Sequence, residues 1–476
     1  MMTFQNSVLV TAMALAALPS VASAQALSAQ EAAELRAQVA ALKAQVDRLE
    51  ARLDNAASST ASAPTTSAPL SSPQIAATDP AQPTAPQPQS GKSDTGIKWK
   101  GAPQLSLGDA TFKVNGRIQY DAGYLSLPKS VNDRAVGYSN ELRRLRLGAT
   151  GTLGGGFGYK LDTELSDNAV DIVDTYITYQ AGKLLVTLGN QNQFQSLDEL
   201  IGDSTGSVME RAAFTDAFGF ERRLGLSVQY KTKLLIAQGG IFSDSIDSLA
   251  NNSDGSAGGD ENNSFALDGR IVVTPKLGDM QLQFGGSYHW RDFQRLSEAP
   301  VQYRQRPYLH SVNSRFLATP RIAAEGESHY GFELAGSKGR LFFAGEGHWL
   351  RSMRPGLADP RFFGGYAEVG YFLTKGDARP LQDGIFGRTD PANPVSEGGP
   401  GAWQVAFRYD YLDLNDKGIV GGTQNAYIVG LVWTPINYLR FNANYAHLSY
   451  TNAAILAGTR ADYSADVMAL RAELDF

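Results

Sequence analysis

The sequence predicts an all-β protein: a transmembrane antiparallel β-barrel of about 16 strands, preceded by a short N-terminal coiled-coil helix and a disordered linker. Three observations support this fold. The last segment alternates apolar and charged residues, the chain contains 49 Gly, 20 Tyr and 22 Phe, and short and long connections alternate between its candidate strands. Outside the amino terminus no run of about 18 apolar residues occurs, which excludes membrane-spanning helices.

The last segment, residues 465–476, shows the strand pattern most clearly. Apolar side chains occupy every second position, namely Met468, Leu470, Ala472, Leu474 and Phe476. Arg471, Glu473 and Asp475 lie between them. Because successive strand side chains point to opposite faces, one face is apolar and the other is charged. This pattern, which ends on an aromatic residue, predicts the closing strand of a barrel that separates lipid from water.

Residues 1–24 are predicted to be a secretory signal peptide. Ser7 to Leu18 forms an apolar core, and Ala22-Ser23-Ala24 provides small residues for cleavage after Ala24. No Lys or Arg precedes the core, so the terminal amine supplies the only positive charge there. The chain has no Cys, which is compatible with an exported protein that lacks disulfides.

Residues 25–54 are predicted to form a coiled-coil segment, because apolar residues recur there with a period of about 3.5. They are Leu35, Val39, Leu42, Val46, Leu49 and Leu53. Val at a with Leu at d favours a parallel dimer, and a frayed amphipathic helix is the alternative. Residues 55–98 are rich in Ala, Ser, Thr, Pro and Gln, which predicts a disordered linker.

The remaining residues, 99–476, are predicted to form the barrel. Alternating segments from Thr111 onwards give about 16 strands, an even number typical of such barrels. The connections at 190–221, 243–264 and 292–328 are long, whereas turns such as 231–233 are short. Short periplasmic turns opposite long external loops produce this alternation. One long connection, 375–401, falls on the side of the short turns.

A barrel of this size encloses an aqueous channel, narrowed by any loop that folds inward. Alternation assigns several arginines to the inner face as candidates for binding anions. They are Arg117, Arg144, Arg146, Arg270, Arg291 and Arg408. It also assigns acids to that face, among them Glu333, Glu368 and Asp410. The inner wall is therefore either an anion filter or a balanced set of ion pairs, and the net charge of −6 does not decide between them.

The long connection 292–328 carries three more pore-lining candidates, Arg304, Arg306 and Arg315. Guanidinium groups match the geometry of phosphate and carboxylate oxygens. If this loop folds into the lumen, the three side chains form a filter. If it stays outside, they pair with lipopolysaccharide phosphates or are solvated.

Enzymatic motifs are weak in this sequence. Gly202 to Gly206 matches G-x-S-x-G around Ser204, but it lies in a polar loop without the strand-to-helix turn that exposes such a serine. The five His show no metal-ligand spacing, and no basic tract suggests nucleic acid. We therefore expect no catalytic residue, no cofactor, no metal and no nucleic-acid partner.

Residues 362–416 contain a linked set of short motifs, and earlier segments at 143–147, 194–200, 209–211 and 304–310 accompany them. The motifs are Leu373-Thr374, Arg379, Gly401-Ala402-Trp403, Arg408-Tyr409 and Leu412-Asp413. Together they resemble the phosphate-selective porin O and P family, in which a strand ends in Leu-Thr-Gly-Glu followed by Arg. A later Gly-Ala-Trp in that family leads into an Arg-Tyr strand with Leu-Asp near its end. The resemblance covers roughly residues 111–476.

The resemblance implies a trimeric porin in the outer membrane of a Gram-negative bacterium, through which small anions, in some members phosphate or polyphosphate, diffuse passively. Its partners would be outer-membrane lipid and lipopolysaccharide, with the N-terminal stalk in the periplasm. The implied trimer conflicts with the dimer that the coiled-coil pattern favours, and both stay open. A general or weakly selective porin, and an outer-membrane anchor whose stalk tethers the cell wall or a partner, are the alternative functions.

Overall fold

The computed structural model of the protein describes residues 96–99, 101–166, 169–246, 264–293 and 301–476. The predicted signal peptide, the coiled-coil segment and nearly all of the predicted linker lie outside these residues. The described chain forms a closed antiparallel β-barrel of 16 strands. Among these residues, no helix combines the length and apolar character needed to cross a membrane.

Each barrel strand pairs antiparallel with the next one along the chain. In chain order the strands are β1 Ala110–Ser126, β2 Gly137–Gly154, β3 Phe157–Glu164, β4 Asp171–Ala181, β5 Leu184–Asn192, β6 Arg222–Lys231, β7 Leu235–Phe242, β8 Phe265–Val273, β9 Met280–Asp292, β10 Gly326–Lys338, β11 Leu341–Met353, β12 Arg361–Phe372, β13 Ala402–Asp416, β14 Ile419–Ile436, β15 Leu439–Thr451 and β16 Tyr463–Asp475.

The barrel closes where β16 pairs with β1. Their register places Arg471 opposite Asp121 and Asp475 opposite Arg117. Beyond β16, the backbone groups of Phe476 and Gly116 exchange two hydrogen bonds of 2.9 and 3.0 Å. Every strand therefore has a neighbour on both sides, and the wall has no free edge. The prediction of a closing strand at the carboxyl end is confirmed.

The wall is apolar outside and polar inside, as the alternation predicts. On β16, Met468 and Leu470 are 62% and 60% exposed, whereas Arg471 and Glu473 are 3% and 2% exposed. Trp403 stacks on Trp433 near one rim, with ring centroids 5.4 Å apart. A continuous apolar outer surface with aromatic residues at the rim is typical of a barrel whose solvent is lipid.

Two-residue turns at 155–156 and 182–183 lie at one end of the barrel, here called the short-turn end. The connections at the opposite end, called the long-loop end, are longer, except the turn at 417–418. The small elements are α1 Leu197–Leu200, α2 Ala213–Ala217, the 3-10 turn Val395–Glu397, and the short strands Gly96–Trp99, Pro103–Leu107, Lys276–Leu277, Arg304–Gln305, Leu317–Ala318, Leu381–Gln382 and Ile385–Phe386.

Three connections fold into the barrel: residues 193–221, 301–325 and 373–401, called the first, second and third inner segments. Each carries a phenylalanine with no exposed surface, which are Phe214, Phe316 and Phe386 in that order. The first two segments enter from the long-loop end, and the third enters from the short-turn end. The prediction that 375–401 is a long connection on the short-turn side is confirmed, and its place inside the barrel accounts for its length.

The inner segments are attached to the wall by specific contacts. In the first segment, the backbone N–H groups of Leu197 and Ala213 donate to carboxylates of β11 and β13 at 2.9 Å each. Phe214 lies directly on Gly364 of β12, where an added Cβ would come within 2.4 Å of the Cβ of Phe214. Only glycine allows the helix so close to the wall. In the second segment, Leu309 packs on Gly123 in the same way.

Candidate functional site

Strand β2 presents three arginines to the lumen instead of the two that strict alternation gives. Pairing with β1 skips Arg143, which makes this residue a β-bulge. A bulge adds a residue to one strand and re-aims its side chain. Arg143 therefore lines the same internal cavity as Arg146, next to Arg144 in sequence. The sequence Glu-Leu-Arg-Arg-Leu-Arg-Leu contains the bulge, but the pattern alone does not show where it falls.

The wall arginines of β1 and β2 converge on one carboxylate of the first inner segment, Asp203. Its oxygens lie 2.9 Å from Arg144 Nε, 3.6 Å from Arg117 Nη1, 3.7 Å from Arg146 Nη1 and 3.3 Å from Arg211 Nη2. We call these five residues the Asp203 cluster. It brings together three of the pore-lining candidates predicted from the sequence. Asp203 and Arg211 were not among those candidates, because they lie in a connection whose sequence shows no alternation of apolar and polar residues.

The electrostatics of the Asp203 cluster favour a negative group at its centre. Burial alone would raise the pKa of the Asp203 carboxyl, but Arg144 and the other guanidinium groups hold it well below its ordinary value. Arg117 and Arg146 have second partners, since each lies 2.9 Å from a carboxylate, of Asp475 and Glu164 respectively. Arg144 has Asp203 as its one ion-pair partner among the described residues.

A polar cavity of about 280 Å³ adjoins this cluster. Its charged lining consists of Glu141, Arg143, Arg146, Glu164, Arg222 and His310. Arg146 belongs to both the cavity and the Asp203 cluster, so the two are continuous. A space of this size holds several waters or a small hydrated anion, and three guanidinium groups face it.

Arg270 and Arg408, two other predicted candidates, lie elsewhere on the wall, and each forms buried ion pairs. Arg270 donates to both oxygens of Glu333 at 2.7 and 2.8 Å. Arg408 donates to Glu368 at 2.9 Å and lies 3.4 Å from Asp198 of the first inner segment. The pair of Arg270 with Glu333 is bidentate, and Arg408 bridges two carboxylates. Both arginine side chains have little exposed surface. They attach inner segments to the wall, which leaves them little capacity for a passing anion.

Arg291, on β9, is also paired. Its Nη2 lies 2.6 Å from Asp244 beyond β7, and its Nη1 lies 4.0 Å from Glu327 on β10. The structure therefore separates Arg291 from the Asp203 cluster and places it beside a group of histidines. Its predicted role in pore lining is neither supported nor opposed by this arrangement.

The second inner segment carries the three loop candidates, Arg304, Arg306 and Arg315. Arg304 is exposed, and the other two are half-buried. The backbone N–H of Arg306 donates to Asp216 of the first inner segment at 2.6 Å. Burial, followed by the charge of Arg306, lowers the pKa of Arg315. The loop thus holds a second concentration of positive charge, where the first and second inner segments meet.

Ser204, the serine of the G-x-S-x-G match, lies within the region of the Asp203 cluster. Its hydroxyl accepts hydrogen bonds from Arg117 at 3.2 Å and Arg388 at 3.4 Å. A guanidinium group cannot take the serine proton, because it stays protonated in proteins. The contacts of Ser204 therefore fasten the first inner segment to the wall and to the third segment.

Three histidines meet on the inner face although their sequence spacing gives no sign of it. His289 of β9 is paired with His329 of β10 across the strands, with ring centroids 4.8 Å apart. His348 of β11 stacks on Phe214 at 4.4 Å. Glu327 lies two residues before His329 and on the same face, and one of its carboxylate oxygens lies within 4.8 Å of a nitrogen of each ring. His289, Glu327 and His329 are the metal-binding candidates among the residues that the structure describes.

A closed barrel with an apolar outer surface, short turns at one end and loops folded into a charged lumen defines an outer-membrane porin. The model of the family "Phosphate-selective porin O and P" matches residues 112–476. The chain belongs to this family, and the resemblance found in its sequence is confirmed. Family and fold together place the protein in the outer membrane.

One relative and several solved structures are similar to this chain. An uncharacterized protein of Caulobacter vibrioides is 50% identical over 460 residues, which is 96% of this chain and 93% of that protein. An anion-selective porin from Comamonas acidovorans is 14% identical, covers 77% of this chain and all of its own, and gives a TM-score of 0.48. The high pH structure of Pseudomonas putida OprB is 13% identical, covers 77% of this chain and 94% of its own, and gives 0.48.

Proposed function

We propose that this porin passes small anions by passive diffusion, and that phosphate or polyphosphate is its leading substrate. The Asp203 cluster is the observation that carries the proposal. Four guanidinium groups share one carboxylate where the first inner segment meets the wall. Each guanidinium has several donors, so oxygens of a second anion can be bound at the same place.

The anion would reach the cluster through the adjoining cavity. Arg143, Arg146 and Arg222 line this space, and their charges replace part of the hydration that a small anion loses on entry. Guanidinium forks suit the oxygens of phosphate better than a spherical chloride ion. Arg304, Arg306 and Arg315, in the second inner segment, provide a second positive region for the same anions. The name of the family agrees with this substrate.

The segments predicted before the barrel and the predicted trimer are compatible with a porin. The first strand of the barrel begins at the short-turn end, which is the periplasmic end in barrels of this kind. A signal peptide at 1–24 and a periplasmic stalk at 25–54 would then precede the barrel. We propose a homotrimer, and one solved structure similar to this chain, OmpT of Vibrio cholerae, is described as a trimer form.

A general or weakly selective porin is the second candidate function, and one observation favours it. Arg270, Arg408 and Arg471 are each neutralised by acids of the wall or the inner segments. At these three positions the lumen therefore contains balanced pairs of charges. The two functions differ in whether phosphate binds, which conductance measurements resolve.

The test is the reversal potential of the purified protein in planar bilayers under a KCl gradient, repeated while phosphate is added. We expect anion preference and block of the chloride current by phosphate. Arg144→Gln is expected to lower the ratio of anion to cation permeability by about fivefold, because one charge at 4 Å in water contributes about 1 kcal/mol. Asp203→Asn is expected to raise that ratio and to strengthen the block.

Arg351→Gln is the control for these two variants. Arg351 pairs with Asp359 on the exposed surface, where its side chain is 49% exposed. Its replacement removes the same charge without touching the Asp203 cluster. Equal reversal potentials for the wild type, Arg144→Gln and Asp203→Asn would remove the cluster from the permeation path and leave the general porin.

Anion preference is also expected to depend on pH through Glu199 of α1. Burial raises the pKa of Glu199 to about 7, although Arg211 opposes this. The carboxyl is therefore neutral below about pH 7 and negative above it, so the lumen gains one negative charge as pH rises. We expect the permeability ratio for anions to fall between about pH 6 and pH 8, and Glu199→Gln to flatten that change. The same slope in both proteins would assign the pH dependence to another group.

A further inference from the structure

We propose that His289, Glu327 and His329 form a binding site for a divalent transition metal ion, and that Zn²⁺ fits it best. Two imidazoles and one carboxylate are a common ligand set for Zn²⁺. The three residues lie on the inner face of β9 and β10 and are 2%, 6% and 3% exposed. This inference is independent of which solute the porin passes.

Strand geometry brings the three ligands together. His289 and His329 are direct cross-strand partners, and Glu327 lies on the same face because strand side chains repeat every second residue. His289 Nε2 lies 3.9 Å from Glu327 Oε1, and His329 Nε2 lies 3.7 Å from Glu327 Oε2. One candidate ligand atom from each residue lies within 4.8 Å of the other two.

These separations are close to those of a metal-bound set. Zn²⁺ bonds of about 2.0 to 2.2 Å in a tetrahedral arrangement place ligand atoms roughly 3.4 Å apart. The ligand atoms here must approach by up to roughly 1.4 Å, which side-chain rotation can supply. A water or another lumen group would take the remaining coordination position.

A second, independent observation points to a ligand. Neither ring nitrogen of His329 has a hydrogen-bond partner, although the side chain is buried. Its distance of 3.7 Å from Glu327 is too long for a hydrogen bond. An unsatisfied buried polar group lowers stability, and a metal bound at Nε2 would remove that cost for one nitrogen.

The surroundings of His289 match the support that metal-bound histidines usually have. Its Nδ1 lies 2.8 Å from Asp268 Oδ1 and 2.7 Å from the side-chain amide of Gln195. Because an ionised carboxylate can only accept, a proton on Nδ1 would be donated to Asp268. With the proton on Nδ1, the lone pair lies on Nε2, which is 3.9 Å from Glu327 Oε1. Gln193 also donates to Asp268, at 2.6 Å, and fixes its position. Carboxylate–histidine pairs of this kind orient metal ligands and raise their basicity.

Tyr303 and Arg291 also contact Glu327, and neither replaces a metal ion. Tyr303 Oη donates to Oε2 at 2.8 Å, and Arg291 Nη1 lies 4.0 Å from Oε1. The guanidinium of Arg291 lies closer to Asp244, at 2.6 Å. A buried carboxylate needs compensating charge, and a divalent ion between the two imidazoles would supply it.

The test uses the full-length protein, folded in detergent, stripped of metal with a chelator and then dialysed against ZnCl₂. A second sample is refolded in the presence of ZnCl₂, because the site is buried. We expect elemental analysis to find one zinc per chain and thermal unfolding to shift upward in zinc. Co²⁺ at the same site is expected to give the visible absorption of a four- or five-coordinate ion.

Variants locate the site. His329→Gln and His289→Gln are each expected to weaken zinc binding at least tenfold, and Glu327→Gln keeps the hydrogen bond from Tyr303 while removing a ligand charge. His447→Gln is the matched control, since His447 forms an imidazole–carboxylate pair with Asp466 at 2.8 Å on a half-exposed part of the wall. A zinc content of zero in both wild-type samples overturns the proposal without any variant. Undiminished zinc binding in the variants at His289, Glu327 and His329 also overturns it.

Discussion

Replacing Arg270 with Met is expected to lower the free energy of unfolding by about 3 to 5 kcal/mol. The side chain of Arg270 has no exposed surface, and that of Glu333 is 3% exposed. The substitution leaves the Glu333 carboxylate buried without its two charge-assisted hydrogen bonds. It also removes donors to Gln238 at 2.9 Å and to the backbone carbonyl of Gly384 at 2.7 Å. The contact with Gly384 joins the third inner segment to the wall.

Two further variants separate the buried charge from the lost contacts. Arg270→Met with Glu333→Leu is expected to recover much of the stability, because replacing both partners of a buried pair by apolar groups is often neutral. Arg351→Met removes an exposed pair and is expected to cost about 0 to 1 kcal/mol. Denaturant unfolding in lipid vesicles measures all three. An Arg270→Met loss no larger than that of Arg351→Met would contradict the view that this pair anchors the third inner segment.

Most of the wall could be predicted from the sequence, because alternation depends only on local order. The closing strand and the inward direction of Arg117, Arg144 and Arg146 follow from a period of two. Strand ends were less predictable. Strand β14 spans 18 residues, Ile419–Ile436, because a two-residue turn lets β13 and β14 continue above the apolar band.

The partners of the arginines could not be predicted, because many of them lie in segments whose sequence shows no alternation of apolar and polar residues. Arg117 meets Asp203, which lies 86 positions later in the sequence, only because the first inner segment folds back into the barrel. His289 and His329 are 40 positions apart and share no motif, yet the pairing of β9 with β10 makes them neighbours. Sequence alternation shows which face a residue occupies. It does not show which loop covers that face.

Shortening the first inner segment is expected to open the pore. Replacing residues 196–220 with a short Gly-Ser linker removes both helices and the side chains of Phe214 and Phe218 from the lumen. A barrel of this size is wide enough for an aqueous channel once the loops that narrow it are gone, so single-channel conductance should rise at least about twofold. The excised stretch contains five acids, Asp198, Glu199, Asp203, Glu210 and Asp216, and one base, Arg211.

With all five acids ionised, Glu199 included, the deletion removes a net charge of −4 from the lumen, since one positive charge offsets five negative ones. The wall arginines Arg117, Arg144 and Arg146 remain and lose Asp203 as a partner. Anion preference is thus expected to rise together with conductance, whereas a simple widening of a neutral pore would lower selectivity. Planar-bilayer recordings give both quantities from the same channels.

A single substitution tests the same point without removing any chain. Gly364→Val places a branched side chain where even a Cβ would lie 2.4 Å from Phe214, so α2 has to leave the wall. Ala367→Val, on the exposed outer face of the same strand, is the matched control. We expect Gly364→Val to raise conductance and its fluctuation, and Ala367→Val to leave both unchanged. If Gly364→Val and the shortened variant both conduct like the wild type, ions take a path that avoids the first inner segment. The Asp203 cluster would then be a structural contact and not a filter.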